Sequence, residues 1–316
     1  MSATLKTWQK RVLWANLVAQ SGIVVTGALV RVTASGLGCP TWPECVAGSI
    51  TPTSQQTESW HKFVEFGNRL LTSVLVIIAL ASIIAVWRYN KSRVVEGLSR
   101  NGLLTKLSFG TLVGIFVQAV LGGITVLTGL HPLTVAAHFL VSMALIAIAT
   151  LLLIRARDSE LEAQLPVAKP VRYLIQALTG LTLFIITLGT LVTGTGPHAG
   201  DSADVPRLGF DPQTITHTHA TAVQLFFGLV IGLIVVAYAN ESPHIIARRS
   251  VTVLSVGLAQ GAIGYLQYFT GLPWVLVALH VLGACILWVS VLFLHFTTIK
   301  VVQVENTHSI SPTTMQ

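Results

Sequence analysis

Apolar residues in this chain come in runs far longer than a soluble helix or strand uses, bounded by basic residues or by Gly, Pro and Thr. Eight runs lie near residues 12 to 32, 61 to 87, 103 to 127, 133 to 154, 172 to 193, 217 to 239, 249 to 270 and 274 to 298. Each reaches the roughly 20 residues that a bilayer core of about 30 Å requires. The pattern therefore predicts an all-α membrane protein with eight transmembrane helices. The first run follows MSATLKTWQK directly, is too long for a signal-peptide core and contains no small-residue cleavage site, so it is read as a retained span.

Basic residues orient the spans. With the N-terminus in the cytoplasm, Lys6, Lys10, Arg11, Arg88, Lys91, Arg93, Arg100, Lys106, Arg155, Arg157, Lys169, Arg172, Arg248, Arg249 and Lys300 all fall inside. Only Arg31, Lys62, Arg69 and Arg207 fall on the other side, as the positive-inside rule expects. Both termini are then cytoplasmic, and the longer loops at 33 to 60 and 194 to 216 face out. The expected location is the cell membrane, with lipid as the surrounding partner.

Comparison of the two halves brings out a repeat. QAVLGGITVLTGLHPLTVAAH, Gln118 to His138, aligns without gaps on QGAIGYLQYFTGLPWVLVALH, Gln260 to His280. A weaker match places Gly27, Leu29, Val30 and Thr33 on Gly189, Leu191, Val192 and Thr195. A unit of four spans enters the membrane from the same side in both copies, which makes the repeat parallel. The expected architecture is two tandem four-helix bundles. Residues 1–157 form the N-terminal bundle, 158–171 a cytoplasmic linker, 172–300 the C-terminal bundle and 301–316 a cytoplasmic tail.

Composition narrows the function. Of 316 residues, 53% are hydrophobic and 10% charged, with a mean hydropathy of +0.74, whereas soluble domains carry about 25% charged residues. A water-soluble enzyme is excluded. The formal charge of +7 is spread over many short segments, so no nucleic-acid partner is expected. Three cysteines are too few for a disulfide scaffold. Cys39 and Cys45 share the outward GLGCPTWPEC loop, where a disulfide is expected; a zinc site would need four ligands. Cys285 aligns with Met143 and reads as packing.

Ionisable residues inside a span are costly, so each is a candidate site. His138 and His280 lie five to seven residues into their spans, about 10 Å deep at 1.5 Å per residue. A lone membrane histidine is more often a packing residue, but duplication at one register argues for more. His219, preferred to His217 because it leads into ATAVQLFFG, comes from a span running the same way as that of His280. Two opposed imidazoles in a helical bundle suit haem iron. In span 2, His61, Glu65 and Asn68 share one face. Glu65 is the only acidic residue placed well inside a span; it reads either as a proton acceptor in redox chemistry or as an ion-pair partner of Arg69 or Lys62. Arg31 and Arg69 are candidate partners for porphyrin propionates.

Taken together, the TGALVRVTASGLGCPTWPEC segment, the EFGNR segment, the duplicated spans and the histidines of spans 4, 6 and 8 resemble the bacterial haem A synthase family over about residues 11 to 299. The resemblance implies conversion of haem O to haem A, in which successive hydroxylations with water-derived oxygen turn a porphyrin methyl into formyl. It implies that Glu65 is the catalytic glutamate, that His138 lines the haem O site, and that His219 and His280 ligate a haem b cofactor. It also implies that Cys39 and Cys45 are the paired cysteines of the first outer loop. The haem A would serve terminal oxidases; a haem O synthase and an unidentified electron acceptor are the implied partners.

The chain departs from the family pattern twice. The usual Glu-x-x-His-Arg reads Glu65-Phe66-Gly67-Asn68-Arg69, with an amide at the ligand position and His61 seven residues earlier as a possible substitute. The outer loop of the second half, TGTGPHAGDSADVPRLGFDP, lacks a cysteine pair. The alternative functions are a membrane cytochrome b that does not modify haem, and a small-molecule transporter.

Overall fold

The structure is a computed structural model that describes residues 4–56, 58–158, 167–201 and 205–298. The residues at 301–316, most of the expected 158–171 linker and Lys300 lie outside the described residues. The chain forms eight α-helices: α1 (Thr7–Val32), α2 (His61–Val95), α3 (Gly102–Leu127), α4 (Pro132–Asp158), α5 (Lys169–Thr195), α6 (Pro212–Ala239), α7 (His244–Phe269) and α8 (Trp274–Thr297).

Every apolar run became a helix, and the differences lie at polar ends. α2 continues past the expected residue 87 to Val95, where Asn90 donates to Thr105 Oγ1 (3.0 Å) and accepts from Asn101 N–H (2.8 Å), tying its polar end to the start of α3. α6 starts at Pro212, five residues before the apolar run, because Asp211 caps it by accepting from Thr214 N–H at 2.7 Å and Pro212 supplies a favourable first residue. Among the described residues, seven helices are long and apolar enough to cross a membrane, which makes this a multi-pass membrane protein. The eighth, α7, falls short by composition: Arg248, Arg249, Ser250, Thr252, Ser255, Gln260 and Gln267 interrupt its apolar surface. Large apolar side chains such as Ile77, Val113, Phe116, Leu225 and Val235 face outward, as lipid contact requires and water would penalise.

The helices pack in two closed rings. In the first, α1 contacts α2 and α4, while α3 contacts α2 and α4; in the second, α5 contacts α6 and α8, while α7 contacts α6 and α8. Among the described residues no backbone of α2 comes within 8 Å (Cα to Cα) of α4, nor of α6 within 8 Å of α8, so these helices face one another across their rings. The rings meet where α8 packs on α1 and α4, and α4 on α5. One buried cluster crosses this junction, joining Leu13 and Leu17 of α1, Met143 and Ile146 of α4, Ile186 of α5 and Cys285, Trp288 and Leu292 of α8. Cys285 and Met143, aligned in the sequence repeat, are both fully buried in it, so Cys285 is a packing residue here. Trp288 Nε1 donates to the Met143 carbonyl at 2.9 Å, which satisfies the indole in an apolar setting.

The loops that the repeat aligns also close alike. Gly129 and Leu130 have φ of +60° and +58°, Gly271 and Leu272 of +77° and +59°. Leu130 N–H bonds to Thr125 O at 2.8 Å and Leu272 N–H to Gln267 O at 2.7 Å, the same left-handed helix ending in both places.

Trp288→Ala should weaken the junction by about 3–5 kcal/mol, the cost of emptying a buried aromatic site. The expected readout is a lower unfolding temperature in detergent, with Val113→Ala on the outer face as a near-neutral comparison.

Candidate functional site

The candidate residues gather in the outward half of the two rings, beneath two interlocked loops. Cys39 and Cys45 form a disulfide and are both fully buried. Between them, Trp42 lies flat against α3 at Gly123, where any Cβ would strike the indole. The sequence expectation of a disulfide is met.

Beneath this loop, Glu65 is buried and accepts hydrogen bonds through both carboxylate oxygens. Its Oε2 accepts the Cys39 N–H at 2.6 Å, and its Oε1 pairs with Arg69 Nη2 at 2.6 Å and Nε at 3.1 Å. Arg69 also donates to the carbonyls of Cys39 (2.6 Å), Thr41 (3.0 Å) and Glu44 (3.1 Å). Those bonds engage all five guanidinium N–H donors, so Arg69 clasps the disulfide loop onto α2 and has no donor left for a propionate in this state. Lys62 is not the partner of Glu65; its Nζ donates to Thr53 O at 2.8 Å and Gln56 O at 3.3 Å.

Arg31 makes a different connection. Its Nε donates to His198 O at 2.8 Å and its Nη2 to Thr193 O at 3.0 Å, fastening the end of α1 to the end of α5 and the loop beyond it. Gly36 N–H bonds to Gly200 O at 2.7 Å and Leu37 N–H to Asp201 Oδ2 at 3.1 Å, so the two outer loops share a seam. Three of the five Arg31 donors remain beyond these two bonds.

His61 sits at the rim as the first residue of α2. It shares a hydrogen bond with Ser35 Oγ through Nδ1 at 2.9 Å and stacks on Trp60 with ring centroids 4.0 Å apart. Asn68, two turns deeper, accepts the Thr26 hydroxyl of α1 through Oδ1 at 2.7 Å.

Deeper still in character are the three imidazoles of α4, α6 and α8, which are seated in one way. Each turns its Cε1 and Nδ1 edge to a glycine on the helix before it: His138 to Gly122, His219 to Gly189 and His280 to Gly264. A Cβ on those glycines would stand 3.3, 3.5 and 3.3 Å from Cε1. In all three rings Nδ1 is buried; among the described residues those of His138 and His280 have no hydrogen-bond partner, while the His219 ring lies against the Ile185 backbone, and each residue as a whole keeps some accessible surface. The ring edge against the glycine is thus sealed, and the Nε2 side is the one left for a ligand. His217, by contrast, is exposed. His219 and His280 stand on helices that face across the second ring and lie close enough to interact electrostatically. An imidazole pair held on helices whose backbones stand apart across a ring fits a planar iron porphyrin.

Two positioning contacts escaped the sequence reading. Gln118 Nε2 donates to the His138 carbonyl at 3.0 Å and to Ser142 Oγ, and Gln260 Nε2 donates to the His280 carbonyl at 2.7 Å. Each glutamine lies four residues before the glycine seat, on the same helix face, so the pair fixes the neighbouring helix at the level of its histidine. The signal was present, since Gln118 and Gln260 head the aligned repeat, but alignment alone does not say what an amide touches.

A family model described as "Cytochrome oxidase assembly protein", COX15-CtaA, matches residues 10–292. A protein named heme A synthase from Geobacillus kaustophilus is 32% identical over 140 residues, covering 43% of this chain and 39% of the relative. One of the same name from Bacillus pumilus is 28% identical, covering 55% of this chain and 54% of the relative. A third, from Bacillus mycoides, is 24% identical over 97% of this chain and 99% of the relative. The chain therefore spans about two fifths to one half of the first two relatives and nearly the whole length of the third.

Arg69→Ala should be more damaging than Glu65→Gln. The first strands a buried carboxylate, at a cost of about 3–5 kcal/mol, whereas the second keeps an acceptor for Cys39 N–H and loses the ion pair. Limited proteolysis of the 39–45 loop at fixed protease concentration should rank the variants in that order.

Proposed function

Because the chain belongs to the COX15-CtaA family of cytochrome oxidase assembly proteins, we propose that it is a haem A synthase, oxidising the methyl group of haem O to formyl. The hydroxylations are successive and take their oxygen from water, and the product serves terminal oxidases. The observation that carries this reading is the set of three buried imidazoles, His138, His219 and His280, each seated in the same way on a glycine of the preceding helix. Residues 1–157 form a substrate bundle and 172–300 a cofactor bundle, tandem parallel copies of a four-helix unit joined by the 158–171 linker. All eight helices cross the cell membrane, α7 included, with both ends and the 301–316 tail in the cytoplasm.

His219 and His280 hold haem b in the C-terminal bundle, where it supplies one-electron redox chemistry. His138 presents haem O in the N-terminal bundle. Glu65 stands beneath the loop seam and takes up protons released as the methyl group is oxidised; its three accepted hydrogen bonds leave lone-pair capacity on the carboxylate. Arg69 and the Cys39 N–H hold that carboxylate in place and resist its displacement. Arg31, with donors in reserve, is the better candidate for a propionate. The rigid loop cover keeps bulk water from the reacting group, and electrons leave to an acceptor outside the chain.

The clasp itself favours one rival. A Glu65 engaged only in tying down a loop would suit a membrane cytochrome b that carries electrons and leaves its haem unmodified.

Purified protein should show a Soret band, and membranes producing it beside a haem O synthase should yield haem A on pigment chromatography. Glu65→Gln should abolish the formyl porphyrin and keep the b-type spectrum, while His280→Ala should lose the b-type spectrum. Normal haem A production by Glu65→Gln would assign the residue to the clasp alone, and haem binding without any haem A would favour the cytochrome.

A further inference from the structure

Three histidines each have a glycine seat, and the first ring contains a fourth seat with no histidine. Gly27 of α1 aligns in the repeat with Gly189 of α5, the seat of His219. A Cβ at Gly27 would meet nothing within 4 Å. Facing that position on α2 is Asn68, whose carboxamide oxygen takes the hydroxyl of Thr26, the residue beside Gly27. Among the described residues the amino end of the carboxamide has no protein acceptor, and Asn68 is only half-buried. Across the ring, α4 carries His138 on its own glycine seat, and among the described residues the α2 and α4 backbones stay more than 8 Å apart, Cα to Cα. His61 does not close the gap, since it lies two turns away at the rim, bonded to Ser35.

We infer that the N-terminal bundle grips porphyrin iron from one side only, through His138, and that the face toward Asn68 and Thr26 is an open position for a small, hydrogen-bonding ligand: water at rest, carbon monoxide as a probe. This rests on the haem-binding reading of His138. The physical logic is asymmetric. Two imidazoles fill both axial positions and hold the group as a resident, whereas one imidazole opposite a carboxamide leaves a position free and a guest that is easier to release. Asn68 is shorter than a histidine, and with its Oδ1 held by Thr26 its amide N–H pair is the group it would offer to a small ligand. A histidine at the same position would find its seat ready at Gly27.

The test compares full-length wild type with Asn68→His, Asn68→Leu and His138→Ala, each purified and loaded with haem, by carbon monoxide difference spectra of the reduced protein and paramagnetic resonance of the oxidised protein. Wild type should contain one haem population that binds carbon monoxide and is high-spin, and another that does neither. His138→Ala should lose the reactive population alone. Asn68→His should convert it to a second low-spin, carbon monoxide-inert population. Asn68→Leu should remain reactive but shift the bound carbon monoxide stretch to higher frequency, as loss of a hydrogen-bond donor requires; a merely structural role for Asn68 would leave that frequency unchanged. The inference is overturned if the His138-dependent haem is low-spin and inert in wild type, if Asn68→His stays reactive, or if the stretch does not move in Asn68→Leu. Absence of all haem from wild type would instead overturn the functional reading beneath it.

Discussion

A buried imidazole in a bilayer has no water to turn to, so an Nδ1 without a protein partner is an expense that something must offset. The protein carries that expense at His138 and His280, and seats His219 in the same pose against a glycine of the preceding helix, with the Ile185 backbone beside its ring. Packing alone does not require it, since leucine would fill the same space without a stranded polar atom. On the haem-binding reading proposed above, coordination through Nε2 would offset that expense, because a metal–nitrogen bond outweighs one missing hydrogen bond. The glycine seats matter for the same reason. They let the rings lie close to the neighbouring backbone, so their orientation is set by helix packing and not by a flexible side-chain rotamer.

That orientation is only as good as the register between neighbouring helices. Gln118 and Gln260 hold this register by catching the carbonyl of the histidine itself, one turn from its glycine seat. At the outer end the constraint passes to the loops. Arg31 reaches from α1 to the carbonyls of Thr193 and His198, and His198 Nε2 reaches on to the Leu272 carbonyl at 2.9 Å, before α8. A chain of polar contacts thus runs across both rings above the histidines, in a region where the backbone is irregular and must find its partners within the protein.

Much of this was legible in the residues. Long apolar runs gave the eight helices, and the gapless alignment of Gln118–His138 on Gln260–His280 anticipated two left-handed turns of the same form at Gly129 and Gly271. What the sequence did not show was which polar atoms meet. Glu65 was equally readable as an ion-pair partner of Arg69 or Lys62, because i+4 and i−3 neighbours both lie within reach on a helix; the loop carbonyls of Cys39, Thr41 and Glu44 decide for Arg69, and those contacts are remote in sequence. Arg31 and Arg69 looked alike as outward arginines, yet one spends all its donors on a loop and the other retains three. Helix α7 reads as a span from its length, while its two arginines and two glutamines leave it, among the described residues, without a stretch apolar enough to meet that expectation.

The two rings differ most where the repeat would make them alike. If Asn68 occupies the place that His219 holds in the second ring, then Glu65 falls three residues before it, where the second ring has Thr216, and Arg69 one residue after, where the second ring has Ala220. The carboxylate, the guanidinium and the cysteine loop they clasp therefore belong to the first ring alone, together with the missing imidazole. These four differences are one change in physical terms. Removing a strong ligand loosens the grip on a porphyrin, and adding a buried carboxylate requires a cation and a rigid loop to stabilise it. On the functional reading proposed above, a ring built this way would hold its occupant less tightly and keep a proton-accepting group beside it, as a site that processes a guest requires.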